Sequence, residues 1–360
     1  LKWDSGGAGT PFPINGIFPH IGQIGINTTS VANQYFWMVG PPADASIGQG
    51  YRLPAMPLLE NPGWKVIFVF NLASVPFVTT AALTQRSLYI GLTNAGNAGG
   101  TNIWSPISPT NPPRPPYFLG VRFDQDTTSP SINDTTLMLE AVANYNTAPT
   151  TRNNTQGTTF NTGITPAIAG NWCALEIECT AAGVVTMSVT DDAVTSLCPR
   201  TNAQSFTLPK MQCTAGASSS SWEFPSSSAP TGYMDILQSV QGTGTGTTET
   251  NFGVWSTGTQ ITIANLTSTL AVYNGTYIAQ LSGSGAGLWI PTGLSATGTA
   301  NSTATITGYP ALLPCFIFGN DSAATPTANC AMYIDFFGMI INPGVGGGTG
   351  TPNPLKSRYW

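Results

Sequence analysis

Short apolar or alternating runs, separated by Gly, Pro, Asn and Ser, recur along the whole chain, and helical periodicity is almost absent. This pattern is typical of β-strands in a sandwich or barrel. Several runs are apolar at every position, as central strands covered on both faces should be. The sequence therefore predicts an all-β fold. The predicted strands cover residues 22–27, 35–39, 64–72, 87–93, 117–124, 135–143, 172–180, 183–190, 206–208, 314–318 and 331–341.

The surface of such a fold must be built almost without charge. Only 8% of the 360 residues are Asp, Glu, Lys or Arg, against roughly 25% in an ordinary soluble domain. Disorder does not explain this, because the chain has 9 Trp, 11 Tyr and 16 Phe, and disordered chains are poor in aromatics. Thr, Ser, Asn, Gln and Gly must supply the polar surface. Such a surface is typical of proteins outside cells or within large assemblies.

Charge and hydropathy exclude two classes of partner. The net charge of −5 argues against phosphate binding, and therefore against nucleic acid. The longest apolar run that stands out, Val66–Phe70, has the length of a strand, and no run approaches the roughly 20 residues of a membrane helix. Because the sequence begins with Leu1 rather than Met, we expect that a segment was removed or left out before it.

The residue composition changes after about residue 231, where Gly and Thr become the most frequent residues. Asn274-Gly275 lies between Val272-Tyr273 and Thr276-Tyr277. An Asn-Gly pair between two short strand-like segments predicts a tight β-hairpin. We predict a small β module over residues 231–309, inserted into a sandwich made of residues 1–230 and 310–345. The alternative is a single elaborated sandwich with long loops. Residues 144–163 are predicted to be a long loop, and residues 346–360 a flexible C-terminal tail.

Six cysteines are present, without a CxxC pair, so zinc-site spacing is absent. Cys173 and Cys179 share a strand face with Leu175 and Ile177. This favours buried thiols over disulfides, although the sequence leaves both open.

Four segments together resemble the concanavalin A-like lectin/glucanase sandwich of tailed-bacteriophage structural proteins. They are Phe118-Leu119-Gly120-Val121-Arg122-Phe123-Asp124, Asp134-Thr135-Thr136-Leu137-Met138-Leu139-Glu140, Ala169-Gly170-Asn171-Trp172-Cys173-Ala174-Leu175-Glu176-Ile177-Glu178 and Gly183-Val184-Val185-Thr186-Met187-Ser188-Val189. Residues 332–338 are similar to the family's final strand. The resemblance covers about 200 residues in pieces and implies an antiparallel jelly-roll β-sandwich, which is an architecture rather than an activity.

Catalytic machinery is not recognisable in the sequence, so we expect no enzyme. His20 is the only histidine and is expected to be structural. No GxSxG, HExxH or Walker sequence occurs. Glu176 and Glu178 alternate with core residues and are expected to form a polar pair on the opposite strand face. The glucanases of the resembled family present acids from one sheet face, but their Glu-x-Asp-x-x-Glu cluster is missing here.

Two kinds of binding site remain as candidates. Asp124, Asp126 and Asp134, with Asn133, bracket a loop of oxygen donors that suits calcium, although turn capping explains the same residues. No other cofactor is indicated. Four aromatic residues are candidates for stacking on glycans, and a packed aromatic is the common alternative for each. They are Trp104, Tyr117, Trp222 and Trp289.

The resemblance and the composition together predict a virion structural protein, such as a capsid decoration, a fibre or a tail-associated subunit. Its expected partners are copies of itself, other virion proteins and host-surface glycans, and its expected location is the extracellular particle. The alternatives are a secreted or cell-surface lectin that does not assemble and a glycan-cleaving enzyme of the same fold.

Overall fold

The structure is a computed structural model of the whole chain. It describes residues 4–7, 10–13, 24–27, 35–39, 64–74, 86–93, 117–124, 134–143, 157–164, 172–179, 184–191, 204–207, 210–215, 222–225, 229–238, 260–281, 287–308, 312–320 and 331–341. These residues form antiparallel strands in four sheets, so the all-β prediction is confirmed. Within these ranges, no helix has the length and apolar character needed to cross a bilayer.

Sheet I has seven strands. In spatial order they are β1 (Asp4–Gly7), β4 (Tyr35–Val39), β22 (Leu313–Asn320), β6 (Arg86–Thr93), β7 (Tyr117–Asp124), β8 (Met138–Ala143) and β9 (Gly157–Asn161).

Sheet II also has seven strands. In spatial order they are β12 (Gln204–Thr207), β11 (Val184–Asp191), β10 (Trp172–Cys179), β5 (Trp64–Ser74), β23 (Ala331–Ile341), β3 (Ile24–Asn27) and β2 (Thr10–Pro13).

The two seven-stranded sheets pack face to face. On β10 the odd-numbered residues from Cys173 to Cys179 are buried and the even-numbered ones are half-buried, which is the alternation of a strand with one face on a core. Phe68 of β5 meets Phe316 of β22 edge to face, with ring centroids 5.5 Å apart. Since these strands belong to different sheets, the contact closes the core of a β-sandwich. The finer prediction of a concanavalin A-like jelly roll stays a prediction.

Two smaller sheets take all their strands from residues 211–308, a stretch that we call the small-sheet unit. Sheet III contains β13 (Met211–Thr214), β21 (Thr305–Gly308), β16 (Gln260–Ala264) and β17 (Gly275–Ile278), in that order. Sheet IV contains β18 (Gln280–Leu281), β19 (Gly287–Pro291), β15 (Tyr233–Gln238), β14 (Trp222–Phe224) and β20 (Gly298–Thr299), in that order. The predicted module boundaries at 231 and 309 stay a prediction.

Aromatic side chains are buried within the small-sheet unit. Trp222 is fully buried, and the rings of Phe224 and Tyr273 are stacked with centroids 5.1 Å apart. The Tyr273 hydroxyl donates a hydrogen bond of 2.8 Å to the carbonyl of Ala296. This bond satisfies the polar end of a buried tyrosine, as a core of this kind requires.

The predicted hairpin at Asn274-Gly275 is wrong. Residues Ser268–Tyr273 form a 3₁₀ helix, and Asn274 follows it with an extended backbone (φ −63°) rather than with the positive φ of a tight hairpin turn. The Asn274 side chain accepts a hydrogen bond from the Leu266 amide and donates one to the Leu266 carbonyl, each 2.9 Å long. Asn274 thus closes the longer connection between β16 and β17, which pair directly. Its side-chain chemistry decides the structure here, rather than its tolerance of positive φ.

The predicted loop over residues 144–163 is also wrong in part, because residues 157–161 form β9 and pair with β8. Residues 144–156 and the predicted tail, 346–360, lie outside the described residues.

The cysteine prediction is confirmed where it can be compared. Among the described residues, Cys173, Cys179 and Cys315 are buried thiols. Burial raises the pKa of the Cys179 thiol to about 11 and raises that of Cys315 further.

Candidate functional site

The central strands of sheet I carry a buried ion-pair network. Arg122 on β7 donates two hydrogen bonds to the carboxylate of Asp134, from Nε to Oδ2 at 2.9 Å and from Nη2 to Oδ1 at 3.1 Å. Its Nη1 donates to Glu140 on β8. The hydroxyl of Tyr89 on β6 donates to Asp124. All five side chains are at most 7% exposed, so the network lies within the protein rather than on its surface.

Strand register explains why these residues meet. Tyr89 lies directly opposite Arg122 across β6 and β7, and Glu140 lies opposite Gly120 across β7 and β8. Opposite residues of an antiparallel pair share a face. Phe316, which lies opposite Ile90, points into the sandwich core, so the network occupies the other face of sheet I.

Gly91 and Gly120 let the strands approach closely beside the network. They lie opposite each other on β6 and β7. A Cβ at Gly91 would lie 2.2 Å from the Leu119 carbonyl oxygen, and one at Gly120 would lie 2.2 Å from the Ile90 carbonyl oxygen. Only glycine fits at either position.

The charges of the network stabilise one another. Burial by itself lowers the pKa of the Arg122 guanidinium, but the opposite charges of Glu140 and Asp134 help to outweigh burial and raise it. Burial raises the pKa of the Asp134 carboxyl, and Arg122 opposes that rise. Arg122 is therefore permanently charged, and it ties two acids to one strand.

Asp124 and Asp134 also close the segment between them. The Asp134 amide donates to the Asp124 carbonyl at 2.9 Å, and the Asp124 amide donates to Asp134 Oδ2 at 3.0 Å. These hydrogen bonds are the ones expected of turn capping, which was the alternative to calcium binding for these two acids. The third calcium candidate, Asp126, lies outside the described residues. The described part of the chain has no group of three His, Cys, Asp or Glu side chains suited to a metal.

Glu176 and Glu178 lie on the half-buried face of β10, opposite the face of Leu175 and Ile177, as expected. Lys65 on β5 forms an ion pair of 2.7 Å with Glu176. Lys65 also lies opposite Glu178 in the strand pair. The two acids therefore share this half-buried face with a cation.

A second polar cluster lies on the outer face of sheet IV. Asp235, Trp289 and Gln280 stand in one row across β15, β19 and β18. Gln280 Nε2 donates a hydrogen bond of 3.0 Å to the Tyr233 hydroxyl, crossing β19 beside Trp289. Trp289, Tyr233 and Gln280 are half-buried, and Asp235 is 2% exposed. We call these four residues the sheet IV cluster.

The four aromatic residues that were candidates for stacking on glycans differ in what the structure describes of them. Trp104 lies outside the described residues, as does His20, and for Tyr117 only the backbone in β7 is described. Trp222 is fully buried in the core of the small-sheet unit, which is the packed-aromatic alternative. Trp289 is partly exposed. Sequence reasoning missed its neighbours Tyr233, Asp235 and Gln280, although the alternation of Tyr233-Met234-Asp235-Ile236 was the signal available.

No protein-family model and no curated protein matches this sequence. Solved structures with a similar arrangement include a protein of unknown function from Shewanella oneidensis MR-1, at 13% identity and a TM-score of 0.32, covering 89% of this chain and 79% of that one. Peanut lectin has 9% identity and a TM-score of 0.29, covering 88% and 98%. Basic winged bean lectin, solved with Tn-antigen, has 9% identity and a TM-score of 0.28, covering 92% and 99%. These likenesses are too distant to bear on function.

The chain is an all-β protein in which two seven-stranded antiparallel sheets pack against each other.

Proposed function

We propose that this chain is a non-catalytic structural and carbohydrate-binding protein, a repeated subunit on the surface of an extracellular particle. The particle that fits the sequence resemblance is the virion of a tailed phage, with the subunit serving as capsid decoration, fibre or tail-associated protein. Its partners are then copies of itself, other particle proteins and host glycans.

The observation that carries the non-catalytic part is the engagement of the acids by Arg122. A glycosidase needs two carboxyl groups about 5 to 9.5 Å apart, open to a sugar and to water. Here Asp134 accepts two hydrogen bonds from Arg122 and one from the Asp124 amide, and Glu140 is 1% exposed and bonded to the same guanidinium. Acids held in this way stabilise the sheet, and neither is placed to protonate a glycosidic oxygen.

The structural part is supported by the surface. On sheet III, Gln212, Thr307, Thr262 and Thr276 form one row across all four strands, and Thr262 and Thr276 are linked by a hydroxyl contact of 3.1 Å. Uncharged, hydrogen-bonding faces of this kind need no long flexible side chains for solubility. They lose little side-chain entropy when a neighbouring subunit covers them.

Light scattering coupled to size-exclusion chromatography tests the structural part. We expect the purified full chain to run as a defined oligomer, because subunits of closed assemblies associate with fixed symmetry. A strict monomer at all concentrations that still binds glycans would favour the non-assembling lectin. The presence of the chain in purified particles, at a fixed copy number, would then decide its location.

A further inference from the structure

We propose that the sheet IV cluster is the carbohydrate-binding site of this protein and that its ligand is a neutral pyranose glycan. This inference rests on the proposed carbohydrate-binding function and assigns it to Tyr233, Asp235, Gln280 and Trp289.

The first observation is the placement of the aromatic and amide groups. Trp289 lies at the centre of the cluster and is half-buried. Tyr233 and Gln280 flank it and are linked by their hydrogen bond of 3.0 Å. A ring face suits the apolar C–H face of a pyranose, and an amide and a phenol beside it supply the donors and acceptors that sugar hydroxyls need.

The second observation is the scarcity of charge around the cluster. Residues 211–308 contain three charged residues, Glu223, Asp235 and Glu249. Two of them lie on this one face, since Glu223 and Asp235 both share the face of Leu237. Burying a carboxylate is costly, yet Asp235 is 2% exposed and lies opposite Trp289. A buried acid therefore lies directly across the strand pair from Trp289.

The charges in this part of the chain also indicate which class of glycan can bind. The stretch from 211 to 308 has no Lys, Arg or His, so nothing in it neutralises a sialic acid, a uronic acid or a sulfated sugar. Glu223 and Asp235 repel such anions. A sugar whose only polar groups are hydroxyls or acetamides meets no such repulsion and can donate hydrogen bonds to carboxylate oxygens.

Trp289 has one further relevant feature. Its indole nitrogen is buried, and the described residues give it no hydrogen-bond acceptor. Buried donors without a partner are uncommon in native proteins. In the proposed complex, a hydroxyl of the bound sugar accepts this hydrogen bond.

The test is an array of neutral and anionic oligosaccharides probed with the full chain, followed by calorimetry with the best neutral binder. We expect binding to neutral pyranose oligosaccharides and none to sialylated or sulfated ones. Trp289→Ala should weaken binding at least tenfold and Gln280→Ala several-fold. The matched control is Trp172→Ala, which removes a half-buried tryptophan from sheet II and should leave the dissociation constant unchanged.

Three outcomes would overturn the assignment. If the full chain binds no neutral sugar, the carbohydrate-binding part of the proposed function fails with it. If the full chain binds but Trp289→Ala and Gln280→Ala bind equally well, only this site is wrong. If the array is blank and Trp289→Ala instead turns an oligomer into a monomer, the face is an interface between copies. If Trp289→Ala does not fold, the dissociation constant of Gln280→Ala decides the test, because that substitution removes no core atoms.

Discussion

Arg122 and Asp134 are joined by two parallel hydrogen bonds, 2.9 and 3.1 Å long, and both side chains are buried beside sheet I. The same guanidinium binds Glu140. Breaking a buried ion pair by removing one partner leaves an uncompensated buried charge, and this costs far more than the pair contributes when intact. The stability of sheet I should therefore depend on this arginine.

Replacing Arg122 by leucine should lower the free energy of unfolding by about 3–5 kcal/mol, because Asp134 and Glu140 lose their common cation. Urea denaturation measures the change. The control is Lys65→Ala, which breaks the half-exposed pair with Glu176 and should cost no more than about 1 kcal/mol. Equal losses in the two variants would show that the network does not support the sheet.

Gly120→Ala should destabilise the protein by about 1–3 kcal/mol, the usual range for overpacking. The added Cβ would lie 2.2 Å from the Ile90 carbonyl oxygen, so β6 and β7 must separate. Gly293→Ala is the matched control, since a Cβ there meets nothing within 4 Å. Thermal unfolding of the two variants should separate them clearly, and a Gly120→Ala protein as stable as the control would contradict the close approach of the strands.

Asn274→Ala should cost about 1–3 kcal/mol, because it removes both hydrogen bonds to the Leu266 backbone. Asn274→Gly tests the rejected hairpin. If a tight turn formed here, glycine would be well tolerated, whereas we expect it to be at least as damaging as alanine. Chemical denaturation of both variants measures the difference.

The buried thiol of Cys179 should make stability fall with pH in the alkaline range. Its pKa is raised from 9.0 to about 11 by burial, so the unfolded chain loses this proton before the folded one does. The contribution is complete below pH 9 and is lost as the pH rises to about 11. Cys179→Ala should flatten this part of the curve of unfolding free energy against pH, and an unchanged slope would show that the thiol titrates normally.

The sequence predicted most strands of the sandwich but missed β1, β2 and β9. The predicted strands have one or both faces in a core, and hydrophobic alternation records that directly. Residues 35–39, 117–124 and 331–341 were predicted with the bounds that the structure gives to β4, β7 and β23. Strands of the small-sheet unit such as β13 and β14 were missed, because runs of three or four residues carry too little periodicity.

The two clusters could not be predicted, since both depend on which strands become neighbours. Arg122 and Glu140 are 18 residues apart, and Tyr233 and Gln280 are 47 apart. Their meeting follows from sheet order and register, which a local pattern does not specify. Asp124 and Asp134 were singled out as oxygen donors, but sequence spacing alone did not connect Asp124 to Tyr89 or Asp134 to Arg122.

The release of reducing ends from a bound neutral polysaccharide tests most directly whether this protein presents a binding surface rather than running a reaction. The full chain should retain the polysaccharide and release no reducing ends above the level of a protein-free control, and Glu140→Gln, Glu176→Gln and Glu178→Gln should behave in the same way. Steady release by the full chain that any of these three substitutions abolishes would contradict the account.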